Sequence, residues 1–281
     1  LVGSERCIRD RDEVTFSKHI APIFQRSCQK CHRPDSLAPM SLITYEEVRP
    51  WARSIKQRTG LRNRMGVMPP WYIEKDLGIQ DFKDDWSLSD EQIQLIATWV
   101  DNGAPEGNPA DMPTPPPFID VDEWEIGTPD LVVSSPEVEV AGEAPDWWGM
   151  LGMGDAGLTE DRYVAAIEYK ERNDLKRGVR SDTVGGLFVV HLSALSTLVP
   201  GSERETTYTW PVHEVGRNAD VFDEEAGVML RAGSQLVFPS THLHSNGTDT
   251  KVRLDVGFKF HPKGYEPTKD CLLYTSPSPR D

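Results

Sequence analysis

Six prolines crowd the stretch from residue 105 to residue 117: Pro105, Pro109, Pro113, Pro115, Pro116 and Pro117. Proline fixes φ and carries no N–H, so this density bars both a helix interior and a central strand and favours an extended spacer. The hydrophobic period changes across it. Before the spacer apolar residues recur at helical spacing; after it they alternate. The 281-residue chain is therefore expected to be multi-domain, with an all-α domain at 14–105, a Pro-rich linker at 106–117 and an all-β sandwich at 118–270, jelly-roll-like in architecture. Residues 1–13 are expected to form a disordered N-terminal segment.

In the first domain Phe16, Ile20, Ile23 and Phe24 make one apolar stripe that runs into Cys28. Thr44 with Glu47, and Ser89 with Gln92, have capping-box spacing. Pro50 suits the first turn of a helix carrying Trp51, Ile55 and Arg58, and Asn102-Gly103 is a stop signal. In the second domain Val252, Leu254, Val256, Phe258 and Phe260 alternate with charged residues, as in a strand with one buried face. Further strands are expected at 130–133, 162–169, 187–193, 206–210 and 235–244.

Cys28-Gln29-Lys30-Cys31-His32 is a C-x-x-C-H motif. Two thiols three residues apart on one turn can form thioethers with the two vinyl groups of a haem, and the adjacent imidazole is then held beneath the iron. A zinc half-site would want a second Cys/His pair, and a thioredoxin-like redox pair would want a βαβ context. Neither accompanies the motif. Among Met40, Met65 and Met68, the last precedes Pro69-Pro70, which stiffens its loop, so Met68 is the expected distal ligand opposite His32.

With its first helix, its C-x-x-C-H motif, its Met-Pro loop and its closing Trp99–Pro105 segment, the region 14–105 resembles a class I c-type cytochrome domain. The resemblance implies covalent haem c, one-electron transfer, and maturation outside the cytoplasm, hence a periplasmic or otherwise extracytoplasmic location.

His242-Leu243-His244 places two imidazoles on one face of an expected strand, and His191 lies on another. Three imidazoles suit copper or zinc. Exposed polar residues beside the Ser245-Asn246-Gly247 turn are the competing reading. His213 and His261 carry no spacing argument. The segments Trp124–Asp130, Thr159–Val164, the His191 strand and Ala232–Leu236 leading to His242 resemble the first copper domain of the type II copper, ascorbate-dependent monooxygenases, the family of peptidylglycine and dopamine monooxygenases. That family shows two adjacent histidines where this chain has Val190-His191-Leu192, so one ligand implied by the resemblance is absent. Its oxygen-activating second domain would lie beyond residue 270, and the β domain is expected to be truncated.

The last eleven residues, Cys271 to Asp281, back-translate codon by codon into a transposase adapter used in DNA library preparation, and are expected to be an artefact. Without Cys271, three cysteines remain, too few and too uneven for a disulfide framework. A formal charge of −15 repels phosphate backbones, so nucleic acid is excluded as a partner. The longest apolar run, Tyr163 to Ile167, is too short to span a bilayer. The expectation is a haem c electron-transfer protein with an unidentified redox partner, its haem feeding a copper monooxygenase-like module. The alternative is a pure electron carrier whose β domain is a metal-free docking or scaffold module.

Overall fold

The computed structural model describes residues 13–34, 36–70, 85–119, 123–175, 188–199, 201 and 208–269. The chain divides into two compact units, residues 1–118 and 119–281.

Unit 1 begins with a π-helical turn, Phe16–Ile20, that runs into α1 (Ala21–Ser27). Then follow α2 (Tyr45–Val48), α3 (Ala52–Thr59) and α4 (Asp90–Asp101). Both capping boxes form: the Thr44 and Ser89 hydroxyls accept from the N–H groups of Glu47 and Gln92, whose side chains reach back to the cap residues. The apolar stripe of α1 packs around Phe16, whose ring lies 6.0 Å from Trp99 of α4 and 5.7 Å from Tyr45 of α2. Phe16, Ile20, Phe24, Ile96 and Trp99 are fully buried, each worth about 1.5–3 kcal/mol of apolar transfer.

The expected fold class is corrected here. No all-α cytochrome domain is seen: the four α-helices among the described residues have only 7, 4, 8 and 12 residues, and α2 and α3 are separated by the 3-10 turn Arg49–Trp51. Strand exceeds helix among the described residues, 29% against 19%, so they are mostly β. The capping signals in the sequence are genuine, but stop signals follow them closely: Pro50 after α2, Gly60 after α3, and Asn102-Gly103 after α4. Residues 106–117 are also not a free spacer. Pro105 and Glu106 carbonyls accept from the Phe16 and Ser17 N–H groups at 2.9 Å, the Pro113 carbonyl accepts from Gln25 Nε2 at 3.2 Å, and Met112 packs on the core. The prolines prevent helix and strand while leaving their carbonyls free to accept, and the segment is a strap across the start of the unit.

Unit 2 contains fourteen strands among the described residues. They are β1 (Leu131–Ser134), β2 (Val138–Val140), β3 (Trp147–Gly149), β4 (Gly152–Asp155), β5 (Arg162–Asn173), β6 (Val190–Ser193), β7 (Ser196–Leu198), β8 (Tyr208–Thr209), β9 (His213–Glu214), β10 (Ala219–Val221), β11 (Val228–Leu230), β12 (Gln235–Phe238), β13 (Thr241–Leu243) and β14 (Thr250–Phe260). The long antiparallel pair β5 and β14 is the spine of a six-stranded sheet ordered β1-β14-β5-β10, with β2 also on β14 and β11 also on β5. Two four-stranded sheets, β4-β12-β7-β8 and β3-β13-β6-β9, complete the unit. The two-sheet sandwich expected from alternation is thus replaced by three antiparallel sheets.

The reason lies in four short breaks. Each strand of one four-stranded sheet continues, after a few residues, into the equivalent strand of the other: β3 into β4, β6 into β7, β8 into β9 and β12 into β13. Pro211 and Pro239 sit in two of the breaks, where a missing N–H interrupts the ladder. Hydrogen bonds still cross the fold line, from Leu151 N to Phe238 O at 3.1 Å and from Ala194 N to Ser240 O at 2.8 Å. One layer has been creased into two sheets. Val164, Ile167, Val256 and Phe258 of the six-stranded sheet and Leu195, Trp210, Leu236 and Phe238 of the creased layer form one core.

On the other face of the spine, Trp124 lies flat over Gly257, where an added Cβ would sit 2.7 Å from the indole. Lys170 and Arg172 each place a cation 5.7 Å from that ring, and the Glu168 carboxylate accepts from Ile126 N at 3.1 Å. This packing explains the Trp124–Asp130 segment structurally.

Candidate functional site

The C-x-x-C-H motif sits where α1 ends. Cys28 N donates to Phe24 O at 2.8 Å, closing the helix, and the N–H groups of Cys31 and His32 return to the Cys28 carbonyl at 3.2 and 2.9 Å. One turn therefore carries both sulfurs and the imidazole. Neither cysteine is in a disulfide. Burial pushes the Cys28 thiol up to about 12, and the Cys31 thiol is raised for the same reason. Two free sulfurs on one turn are compatible with addition across the vinyl groups of a haem.

His32 is oriented by its neighbours. Its Nδ1–H donates to the Met40 carbonyl at 3.3 Å, which leaves Nε2 as the free ligating nitrogen. Burial lowers its pKa, favouring the neutral imidazole that a metal requires. Residues 36–42 fold back to supply that carbonyl: Leu42 N donates to His32 O at 3.0 Å, and Gln29 Nε2 donates to Leu42 O at 2.9 Å. Sequence reasoning weighed Met40 as a thioether ligand and set it aside. The structure uses its backbone oxygen, a role that no side-chain pattern reveals.

Met68 N donates to Arg58 O at 3.3 Å, tying its loop to the end of α3, and its side chain is exposed. Met65 is almost wholly exposed and Met40 is half-buried. Residues 71–84, including Trp71 after the proline pair, lie outside the described residues, as do residues 1–12 with Cys7 and residues 270–281 with the expected adapter segment. A cavity of about 270 Å³ in unit 1 is lined by Phe16, Gln29, Tyr45 and Met112. It is not at Cys31 or His32.

In unit 2 the structure brings His191, His242 and His244 together. Ring centroids are 5.0 Å apart for His191 and His242, 5.9 Å for His191 and His244, and 6.4 Å for His242 and His244. Strict alternation would not place His191 there. In the β13–β6 ladder Thr241 faces Ser193 and His242 faces Leu192, but Leu243 faces Val190, so His191 is the extra residue of a β-bulge. A bulge re-aims one side chain. Here it turns His191 away from the face shared by buried Val189 and Ser193 and toward the other two imidazoles.

Glu171 of β5 anchors the chain just before this bulge. Its buried carboxylate accepts from Val189 N at 3.1 Å and from Val190 N at 2.8 Å. His242 stacks on Trp148 of β3, with ring planes 5° apart and centroids 4.3 Å apart. Asp146 Oδ2 comes within 3.2 Å of His242 Nε2 but out of line for a hydrogen bond, so both ring nitrogens of His242 are buried without a partner. Burial and the two neighbouring imidazoles lower the His191 pKa. His213 is fully buried against Tyr169, and His261 stacks on Tyr265 while pairing with the Ala226 carbonyl. Both are structural.

The donor set fits copper in kind, three imidazoles with two nitrogens among them that make no hydrogen bond. It is not gathered as a metal centre. Among the described residues no group of three or more His, Cys, Asp or Glu side chains stands in coordinating geometry, so His191, His242 and His244 must rotate to meet one ion.

No protein-family model matches the chain, and no curated protein matches it. No helix among the described residues is long and apolar enough to cross a membrane.

Proposed function

We propose that this protein is a haem c electron carrier, with covalent attachment at Cys28 and Cys31, His32 as proximal ligand and Met68 as distal ligand. The observation that carries the reading is one turn that presents two free thiols and an imidazole whose Nδ1 is already engaged, leaving Nε2 for iron. Haem, when bound, supplies a one-electron couple, and Met ligation raises its potential. The residues of this chain position it. Met40 O fixes the ring plane of His32, Gln29 holds the 36–42 loop in place through Leu42 O, and Arg58 O holds the Met68 loop. Covalent haem c implies assembly outside the cytoplasm.

In the same reading His191, His242 and His244 hold one copper ion that receives electrons from the haem, as in a copper monooxygenase-like module. The two unpartnered nitrogens of His242 support it. A pure electron carrier with a metal-free β unit is the second reading, favoured by the rings not converging.

The haem test is denaturing extraction after expression with a haem-maturation system: haem should stay with the chain, and release into acid-acetone would overturn the proposal. The copper test is paramagnetic resonance of the copper-loaded full chain. A type 2 signal with nitrogen couplings that His242→Ala abolishes supports the module, and no uptake leaves the carrier alone.

A further inference from the structure

We propose that the outward face of the creased layer is a docking surface for a basic protein, which lays across it an extended segment with two cationic side chains four residues apart and an apolar one between them. The inference stands apart from the haem and copper readings.

The layers of unit 2 differ in charge. Among the described strands, lysine and arginine occur only on β5 and β14, as Arg162, Lys170, Arg172, Lys251, Arg253 and Lys259, and each of them pairs with a carboxylate. The eight strands of the creased layer contain neither residue, and their only charged side chains are Asp155 and Glu214. A cation brought to this layer by another protein therefore meets acid and no competing base.

The same face is apolar where a solvated sheet is ordinarily polar. In β12 and β13 the residues flanking Val237 and His242 are buried (Leu236, Phe238, Thr241 and Leu243), so Val237 and His242 point away from the core. Their direct cross-strand partners, Met153 and Trp148, share that direction and are 52% and 58% exposed.

Register sets one row of this face. Trp148 opposes His242, His242 opposes Leu192, and Leu192 opposes Glu214, so four side chains cross β3, β13, β6 and β9 in line. With strands about 4.8 Å apart the row is about 14 Å long. A carboxylate stands toward each end. Glu214 closes one, and at the other Asp146, two residues before Trp148, comes within 3.2 Å of His242 Nε2. Both lie near enough to act on the charge of His191. Arg217, the nearest cation to Glu214 in sequence, is taken by Asp220.

The row dictates what fits it. Trp148 lies flat on His242 and is otherwise open to solvent, so a guanidinium can stack on its free side within the field of Asp146. In an extended segment residues i and i+4 project from one side about 13 Å apart. A second cation thus reaches Glu214 while residue i+2 covers Leu192. Aromatic anchors of this kind carry much of the energy of an interface, and opposite charge steers the approach.

The test titrates the full chain, in chelator, with the peptide Ac-Arg-Ser-Leu-Ser-Arg-amide and with its counterpart carrying glutamate for arginine, read by calorimetry and by amide hydrogen exchange. The basic peptide should bind, protecting β3, β13 and β6, and the acidic one should not. Trp148→Ser should weaken binding about thirtyfold, as for a truncated anchor, and Trp148→Phe should restore most of it. Asp146→Asn and Glu214→Gln should each cost about two- to fivefold. Trp51→Ser, an exposed indole of unit 1, should change nothing. Failure of the basic peptide to bind, equal binding of the acidic one, protection elsewhere, or indifference to Trp148→Ser overturns the proposal. Self-association that Trp148→Ser abolishes assigns the face to a second copy of the chain and overturns it equally.

Discussion

His213 shows how a single buried side chain ties this fold to pH. Burial holds its pKa down at about 4 against an ordinary 6.5, despite a backbone hydrogen bond to Val190, with His191 and Tyr169 beside it. The native state therefore binds fewer protons than the unfolded chain between those values, and stability rises with pH across that window. Acidification from 6.5 toward 4 should cost up to about 3 kcal/mol from this residue. Urea unfolding of the wild type and His213→Leu at both ends of the window should give a smaller pH-dependent difference for the variant. At the same scale, the sulfur-to-iron charge-transfer band of the ferric protein should disappear in Met68→Ala and persist in Met65→Ala. The reverse pattern would reassign the distal ligand. Only Met68 has its backbone tied to α3.

Among the elements, the capped helices carry the most transferable stability. Ser89→Ala removes the acceptor for Gln92 N, and thermal melting should show unit 1 weakened by about 1 kcal/mol. Both capping boxes, the Gly103 stop and the strand at 252–260 could be read from residue types alone, because each is a local device. Helix length could not be read, since closely spaced stops outweighed the stripe. Likewise, alternation within β6 does not show that His191 turns toward the other two imidazoles. A bulge is decided by the register of a strand fifty residues away, and no pattern within β6 records it. Glu171 escaped notice for the same reason: its partners, Val189 N and Val190 N, are main-chain atoms distant in sequence. Trp148 was equally invisible until cross-strand pairing set it against His242.

For the whole molecule, the decisive fact is that the two cores share no residue. One comprises side chains between Val14 and Met112, the other side chains between Leu131 and Phe260. Cavity formation in one core should leave the other intact. Ile20→Ala, at a fully buried position, should cost unit 1 about 2–5 kcal/mol. Calorimetry should show one transition moved down and a second unmoved; a concerted shift of both would contradict separate cores. The strap at 105–113 gives unit 1 a further property. Because Phe16 and Ser17 hydrogen-bond to Pro105 and Glu106, the start of the first helical turn and the stretch just after α4 lie side by side. Such a unit is a cassette: it can be spliced into a surface loop of an unrelated host, or be reopened elsewhere with its old ends joined, without its interior being disturbed.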